Sequence, residues 1–351
     1  MESEKRKTNI LCFIQNIRLH CSIIFGVFLY FTYYLSDQYH SNSIKKEQQQ
    51  QIIKVNNQVS QSLDILDIKT QISPDILKSN KNWIILGFTE FTYIPLAIKW
   101  YDQLTNLGYN NHFIVGLDTA SEKYFLDTRN GQKTTPIRFI KSSNQIHKTK
   151  QYYLKTIWKT RLNTIQALLK QNYNILISDT DTIWLKYLKI DKEIQKIDSN
   201  SIDGPRDAYH SYAGKFPHQT LKAWNFTICG CFTAFKSTNN TLNFFEIINK
   251  QCKTGCDDQE KVNLLYLEYY NVSWSGKVHG ENYGKSRRTL KNSKDYDMAP
   301  YIFPAKKVVR GGIKGDCLKG EAEKPWIIHP FCQKSIHAKM AMVQEFQLCY
   351  K

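Results

Sequence analysis

The sequence predicts an α/β domain organised on a parallel sheet, and three observations carry that prediction. The run Asn174-Ile-Leu-Ile-Ser178 is apolar enough to be a strand covered on both faces, and two carboxylates one residue apart, Asp179 and Asp181, follow it. Before it, Leu154, Trp158, Leu162, Ile165 and Leu169 recur at helical spacing, which makes residues 151–171 an amphipathic helix feeding that strand. Further upstream, Trp83 to Phe88, Tyr93 to Leu107 and His112 to Leu117 read as strand, helix and strand in turn. A chain of 351 residues with 13% aromatic content can bury the core such a domain needs.

In chain order, residues 1–18 hold a basic cluster and precede residues 19–36, which contain no Asp, Glu, Lys or Arg. At about 1.5 Å per residue, a helix of that length nearly crosses a hydrocarbon core about 30 Å thick. The basic flank sets a cytoplasmic N-terminus, the terminal tyrosines suit the interface, and no small-residue cleavage site follows. The segment is therefore expected to be a transmembrane signal anchor. Residues 37–80, with Gln48 to Gln51 in a row, read as a polar stem, and residues 81–351 as the lumenal domain. Within that domain Ile137 to Ile140 is a further expected strand. Ser201 to Arg206 reads as a short strand and turn, and Thr227 to Phe235 as a strand whose Gly230 suggests close approach by something bulky. Leu242 to Ile248 and Gln259 to Tyr270 are expected helices, and residues 275–300 a loop rich in Gly, Lys, Arg and Asn. Trp326 to Phe331 gives a last strand with His329 at its tip, and Ser335 to Phe346 a closing helix.

The net charge of +17 suits nucleotides, anionic glycans or membrane headgroups equally, and no nucleic-acid module is recognisable. Of nine cysteines, Cys12 and Cys21 lie in or near the anchor, which leaves seven, an odd number compatible with disulfides in an oxidising compartment. The acidic tip carries more chemistry. Two carboxylates held at a strand end repel unless a cation sits between them, and hard ions such as Mg²⁺ or Mn²⁺ prefer oxygen ligands and bridge to diphosphates. Ligands of α/β sheets gather at such carboxyl ends. The chain supplies its own control, because Asp295-Tyr-Asp297 has the same spacing but no apolar strand before it.

The block Arg161 to Leu185, with Gly230-Cys-Phe-Thr-Ala-Phe-Lys-Ser-Thr238, Asp258-Gln-Glu-Lys-Val-Asn263 and the terminal His329 and Lys339, resembles the nucleotide-diphospho-sugar transferases. That family includes plant rhamnogalacturonan xylosyltransferases and extensin arabinosyltransferases, which are retaining glycosyltransferases of the GT-A fold. The resemblance implies that Asp179 holds the ribose and helps with the metal, that Asp181 ligates Mn²⁺ or Mg²⁺ through this DXD motif, and that His329 completes the protein ligands. It also implies that Asp258 and Gln259 meet the donor sugar near its anomeric carbon. Arg161 occupies a position usually basic in the family, and Lys339 or the basic residues Lys285, Arg287 and Arg288 are candidates for the diphosphate.

Three positions depart from the family pattern. Ile228 replaces an asparagine two residues before the strand glycine, Asn172 replaces a glycine before Tyr173, and the proline after Trp184 is missing. Together with the anchor and stem, the resemblance implies a single-pass type II Golgi membrane protein that moves a sugar from a nucleoside diphosphate, UDP foremost, to a glycan or glycoprotein. Sequons at Asn225, Asn239 and Asn271 are compatible with that topology, with Asn225 beside an expected core strand. A nucleotidyltransferase could use the same acidic tip, and a catalytically silent glycan-binding protein could keep the same scaffold.

Overall fold

The computed structural model describes residues 71–128, 137–141, 150–213, 216–252, 255–276, 280–286, 297–310, 325–329 and 335–349. The expected tail, the anchor and residues 37–70 of the stem lie outside the described residues, and among the described ones no helix is long and apolar enough to cross a membrane. The folded body begins before residue 81. Helix α1 (Pro74–Ser79), capped by Ser73, sends Leu77 into the core together with Ile72.

From there the chain runs through β1 (Trp83–Thr89), α2 (Ile94–Asn106), β2 (His112–Gly116), α3 (Thr119–Thr128), β3 (Phe139–Lys141), α4 (Lys150–Leu169), β4 (Asn174–Ser178) and β5 (Ile183–Trp184). Then follow α5 (Ile190–Ser199), β6 (Ala208–Ala213), α6 (His218–Trp224), β7 (Thr227–Phe235), α7 (Asn239–Gln251) and α8 (Asp258–Leu264), the last running into a π turn at Leu265–Tyr269. The remainder is β8 (Ser273–Gly276), β9 (Asn282–Lys285), β10 (Pro300–Ile302), β11 (Val308–Arg310), β12 (Ile327–His329) and α9 (Ile336–Cys349).

Among the described residues the main sheet has the order β3-β2-β1-β4-β7-β6-β10-β9-β8. The quartet β3 to β4 is parallel, as expected. Beyond it only β6 and β10 pair parallel in this sheet, and the other pairings correct the expectation of a parallel sheet: β7 runs antiparallel to both β4 and β6, and β9 is antiparallel to both β8 and β10. The expected strand at Ser201 to Arg206 is a turn, and the strand lies just after it at β6. The expected loop 275–300 contributes the end of β8, all of β9 and the first residue of β10.

Alternation along β1 and β4 explains the two faces. Ile84, Leu86, Ile175 and Ile177 enter one core with α4 and α7, whereas Trp83, Ile85 and Leu176 enter the other with α2 and α5. A smaller sheet, β11-β12-β5, packs Ile183 and Ile328 against Leu96 and Val343. Asn172, one of the departures, sits at a φ of 63° behind α4, a left-handed position that asparagine tolerates where glycine is the usual choice.

Candidate active site

The site grows from the end of β4. Ser178, fully buried, accepts the indole N–H of Trp100 at 3.1 Å and of Trp184 at 3.0 Å, and its Oγ lies 2.6 Å from Thr182 Oγ1. Thr182 donates its backbone N–H and its hydroxyl to the Asp179 carbonyl, at 3.0 and 2.7 Å, and the Asp179 N–H donates to Cys231 O at 2.8 Å. The turn that presents both carboxylates is therefore tied on each side. Strand β5 then pairs antiparallel with β12, Ile327 opposite Trp184 and Ile328 opposite Ile183. That register delivers the next residue, His329, to the carboxylates from 148 positions away in sequence.

His329 Nε2 lies 3.2 Å from Asp181 Oδ1 and 3.7 Å from Asp179 Oδ2, and Lys339 of α9 donates to Asp181 Oδ2 at 2.6 Å. Burial pushes the Asp181 carboxyl up, but the His329 hydrogen bond and charge and the Lys339 ammonium outweigh it and hold the group well below the usual carboxylate range. Burial alone would lower His329; its hydrogen bond to Asp181 and the neighbouring Cys229 raise it to about 10. For Asp179, a third of whose side chain remains exposed at the mouth, the surrounding protein raises the pKa against the opposing pull of Arg161 and His329. Protein cations thus balance the pair.

Arg161, from α4, joins the second half of the site to the first. Its Nη1 lies 3.3 Å from Asp179 Oδ1, its Nη2 donates to Gly230 O at 2.7 Å, and its Nε lies 3.3 Å from Asp258 Oδ2, outside hydrogen-bond geometry. Burial lifts Asp258 to about 6, with Arg161 opposing. Asp257, not Asp258, caps α8, accepting from Glu260 N at 3.0 Å, while the Asp258 carboxylate accepts the Gln259 backbone N–H at 2.9 Å on Oδ1 and turns Oδ2 to Arg161. Gln259 is held at both ends: Oε1 accepts from Gly230 N at 3.3 Å and Nε2 donates to Phe216 O at 3.1 Å.

Sequence reasoning missed Asn263, whose side chain accepts from Ile228 N at 2.8 Å and donates to Ile228 O at 2.9 Å. An Asn-Gln pair one helical turn apart was its only signal, because the partner strand lies 35 residues upstream. Lys285 ends β9, three strands from β7, and pairs with Asp203 at 3.5 Å rather than with the acidic tip. Arg287 and Arg288 lie outside the described residues. Gly230 also departs from expectation. A Cβ built there would meet nothing nearer than Arg161 Nη2 at 3.9 Å, so no protein group crowds it. The cavity beside it is lined by Arg161, Ile228, Gly230, Asp258, Gln259 and Asn263, and neither Asp181 nor His329 borders it.

The residues fit a divalent cation. One ligand atom from each of Asp179, Asp181 and His329 lies within 4.8 Å of the others, and the imidazole turns Nε2 to both carboxylates. Two carboxylate oxygens with one imidazole nitrogen suit Mn²⁺ or Mg²⁺.

Comparison with known proteins follows the same lines. A search of curated proteins finds no match to the chain. Mouse xyloside xylosyltransferase 1 is 10% identical with a TM-score of 0.41, over 72% of this chain and 99% of that one. A glycosyltransferase involved in the glycosylation of the major capsid of PBCV-1 is 10% identical with a TM-score of 0.41, over 76% and 98%. The galactosyltransferase LgtC, solved with donor and acceptor sugar analogs, is 9% identical with a TM-score of 0.41, over 76% and 94%. Residues 108–343, which include every site residue named above except Trp100, match the model of the nucleotide-diphospho-sugar transferases, and the chain belongs to that family.

Proposed function

We propose that the chain is a metal-dependent, retaining glycosyltransferase of the GT-A fold, which moves a sugar from a nucleoside diphosphate, UDP foremost, to a glycan or glycoprotein. The observation that carries the reading is the convergence of Asp179 and Asp181 from the centre of the chain with His329 from its end, within one ligand sphere. A divalent cation bound there would stabilise the charge developing on the departing diphosphate. Asp179, Asp181 and His329 would hold it. Lys339, already at Asp181, is placed to follow the negative charge as the diphosphate leaves. Arg161 keeps Asp179 and Asp258 in fixed relation, and Asp258 with Gln259 orients the donor sugar while an oxocarbenium-like state forms.

The test is divalent-dependent release of nucleoside diphosphate from a panel of nucleotide sugars by residues 71–351, with the anomeric configuration of the product followed by NMR. Asp181→Ala is expected to abolish release and Mn²⁺ binding measured by calorimetry. Activity unchanged in that variant, or release of pyrophosphate, would overturn the reading. Placement on the lumenal side of the Golgi membrane through residues 19–36 belongs to the same proposal. The exposed asparagines of all three sequons support it, and a shift in mass on deglycosylation of the protein from cells is its check.

A further inference from the structure

Strand β7 carries two thiols that the proposed reaction does not use. Cys229 and Cys231 are not joined in a disulfide in this structure, and both are buried. On a regular strand, side chains two residues apart share a face at a separation of about 7 Å. Here the strand bulges: His210 of β6 pairs with Thr233 but the next residue, Ser211, pairs with Cys229, so residues 230–232 loop out of that ladder. The curl brings Cys229 Sγ to 2.6 Å from Cys231 Sγ. Two sulfurs bound to one zinc ion with bonds of about 2.3 Å would stand about 3.8 Å apart, whereas a covalent pair stands at about 2.05 Å. The observed separation lies nearer the covalent one. Gly230, between the two, has no side chain, and a Cβ there would meet only ordinary contacts, Arg161 Nη2 at 3.9 Å and Gln259 Cβ at 4.0 Å, so no steric clash opposes closing the remaining gap.

We propose that Cys229 and Cys231 are joined by a disulfide across Gly230, formed while the chain folds and then sealed under the sheet. The co-reactant is a small disulfide such as oxidised glutathione. One cysteine attacks it as the thiolate, releasing one glutathione; the second cysteine attacks the mixed disulfide, forming the protein S–S bond and releasing the other. The two protons lost by the cysteines end on the two glutathione sulfurs, and the two electrons reduce the oxidant. Burial of both thiols requires that exchange precede closure of the sheet. The chain already carries one disulfide, between Cys252 and Cys256. The new ring would fix the peptide groups of Gly230, whose carbonyl holds Arg161 and whose N–H holds Gln259. The thiol pair is thereby a covalent brace behind the wall that carries both halves of the site.

The protein refolded in a glutathione redox couple, and separately under reductant, is unfolded in denaturant with N-ethylmaleimide and mapped by peptide mass. In the oxidised sample the peptide spanning Cys229 to Cys231 is expected without adducts and lighter by two hydrogens; in the reduced sample it carries two adducts. Closure of Cys252 on Cys256 serves as the internal control. Two adducts on Cys229 and Cys231 while that control is closed would overturn the proposal. So would thiols protected only until a chelator removes bound zinc. Cys229→Ser is expected to leave Cys231 open to alkylation under both conditions, and Cys231→Ser to do the same for Cys229. A partner found elsewhere in either variant would also refute the pairing.

Discussion

Ser178 shows how much of the site rests on residues that touch no substrate. Its hydroxyl receives two indole N–H groups and meets Thr182, one position before the first carboxylate. Ser178→Ala leaves both indoles buried without that acceptor. At about 1–3 kcal/mol per unsatisfied group, the expected loss is about 2–6 kcal/mol in urea unfolding, with the metal-binding turn loosened as well. Arg161 is the second such residue. Arg161→Lys keeps the charge but cannot span Asp179, Gly230 and Asp258 together, since lysine lacks the guanidinium fork. An increase in barrier of about 1.4 kcal/mol or more, a tenfold fall in kcat/KM for donor hydrolysis, is expected in steady-state assays. The carboxylates were legible in the sequence because an apolar strand led into them. Ser178's partners were not: Trp100 lies 78 residues away, and nothing local announces a hydrogen bond over that separation.

At the level of elements, the glycines of the sheet divide by what stands above them. A Cβ on Gly87 would come within 2.8 Å of the Trp100 ring, whereas at Gly230 the nearest atom is 3.9 Å away. Gly87→Ala should therefore cost about 1–3 kcal/mol through overpacking, while Gly230→Ala should leave the urea midpoint nearly unchanged; both are read by denaturant titration. Strands β1, β2, β4 and β7 were visible as continuous apolar runs, and α4 as a stripe at helical spacing. Strand β6 was not, because Ala-Tyr-His-Ser-Tyr-Ala buries polar residues: His210 and Ser211 are shielded by partners across the sheet, His210 lying 3.0 Å from the Tyr266 hydroxyl. Strands β8 and β9 hide in Ser, Asn, Gly and Lys, a composition that resembles a loop, with β8 at the sheet edge.

For the molecule as a whole, strand direction was the largest thing the sequence withheld. Alternating strands and helices predict parallel neighbours, and β1 to β4 obey, but β7 enters beside β4 after a connection that contains β5, α5, β6 and α6, and it runs antiparallel to β4, a direction that no local pattern announces. Acid sensitivity is also a property of the whole fold. His112 and His210 are buried and their pKa values are lowered to about 3, by burial in both and by the Arg138 charge at His112. Thr105, Trp100 and Tyr101 face the first, Thr233, Tyr266 and Phe235 the second. Because the folded pKa lies below the unfolded one, stability is fully present above about pH 6.5 and falls as the unfolded chain takes up protons below it. Asp258, raised to about 6, opposes one of these protons between about pH 6 and pH 4. Asp179, also raised, opposes in the same sense, so the net expectation is a loss of at most about 1.4 kcal/mol per pH unit in that window, measured by urea unfolding at pH 7 and pH 5 and reduced in a His112→Gln, His210→Gln variant. One last consequence belongs to the paired indoles on Ser178. Of the seven tryptophans, Trp100 and Trp184 alone among the described residues share a hydroxyl adjoining Asp179. Their emission should change in intensity as Mn²⁺ is added and fall silent to it in a Trp100→Phe, Trp184→Phe variant, so the protein carries its own optical gauge of whether the acidic turn is filled.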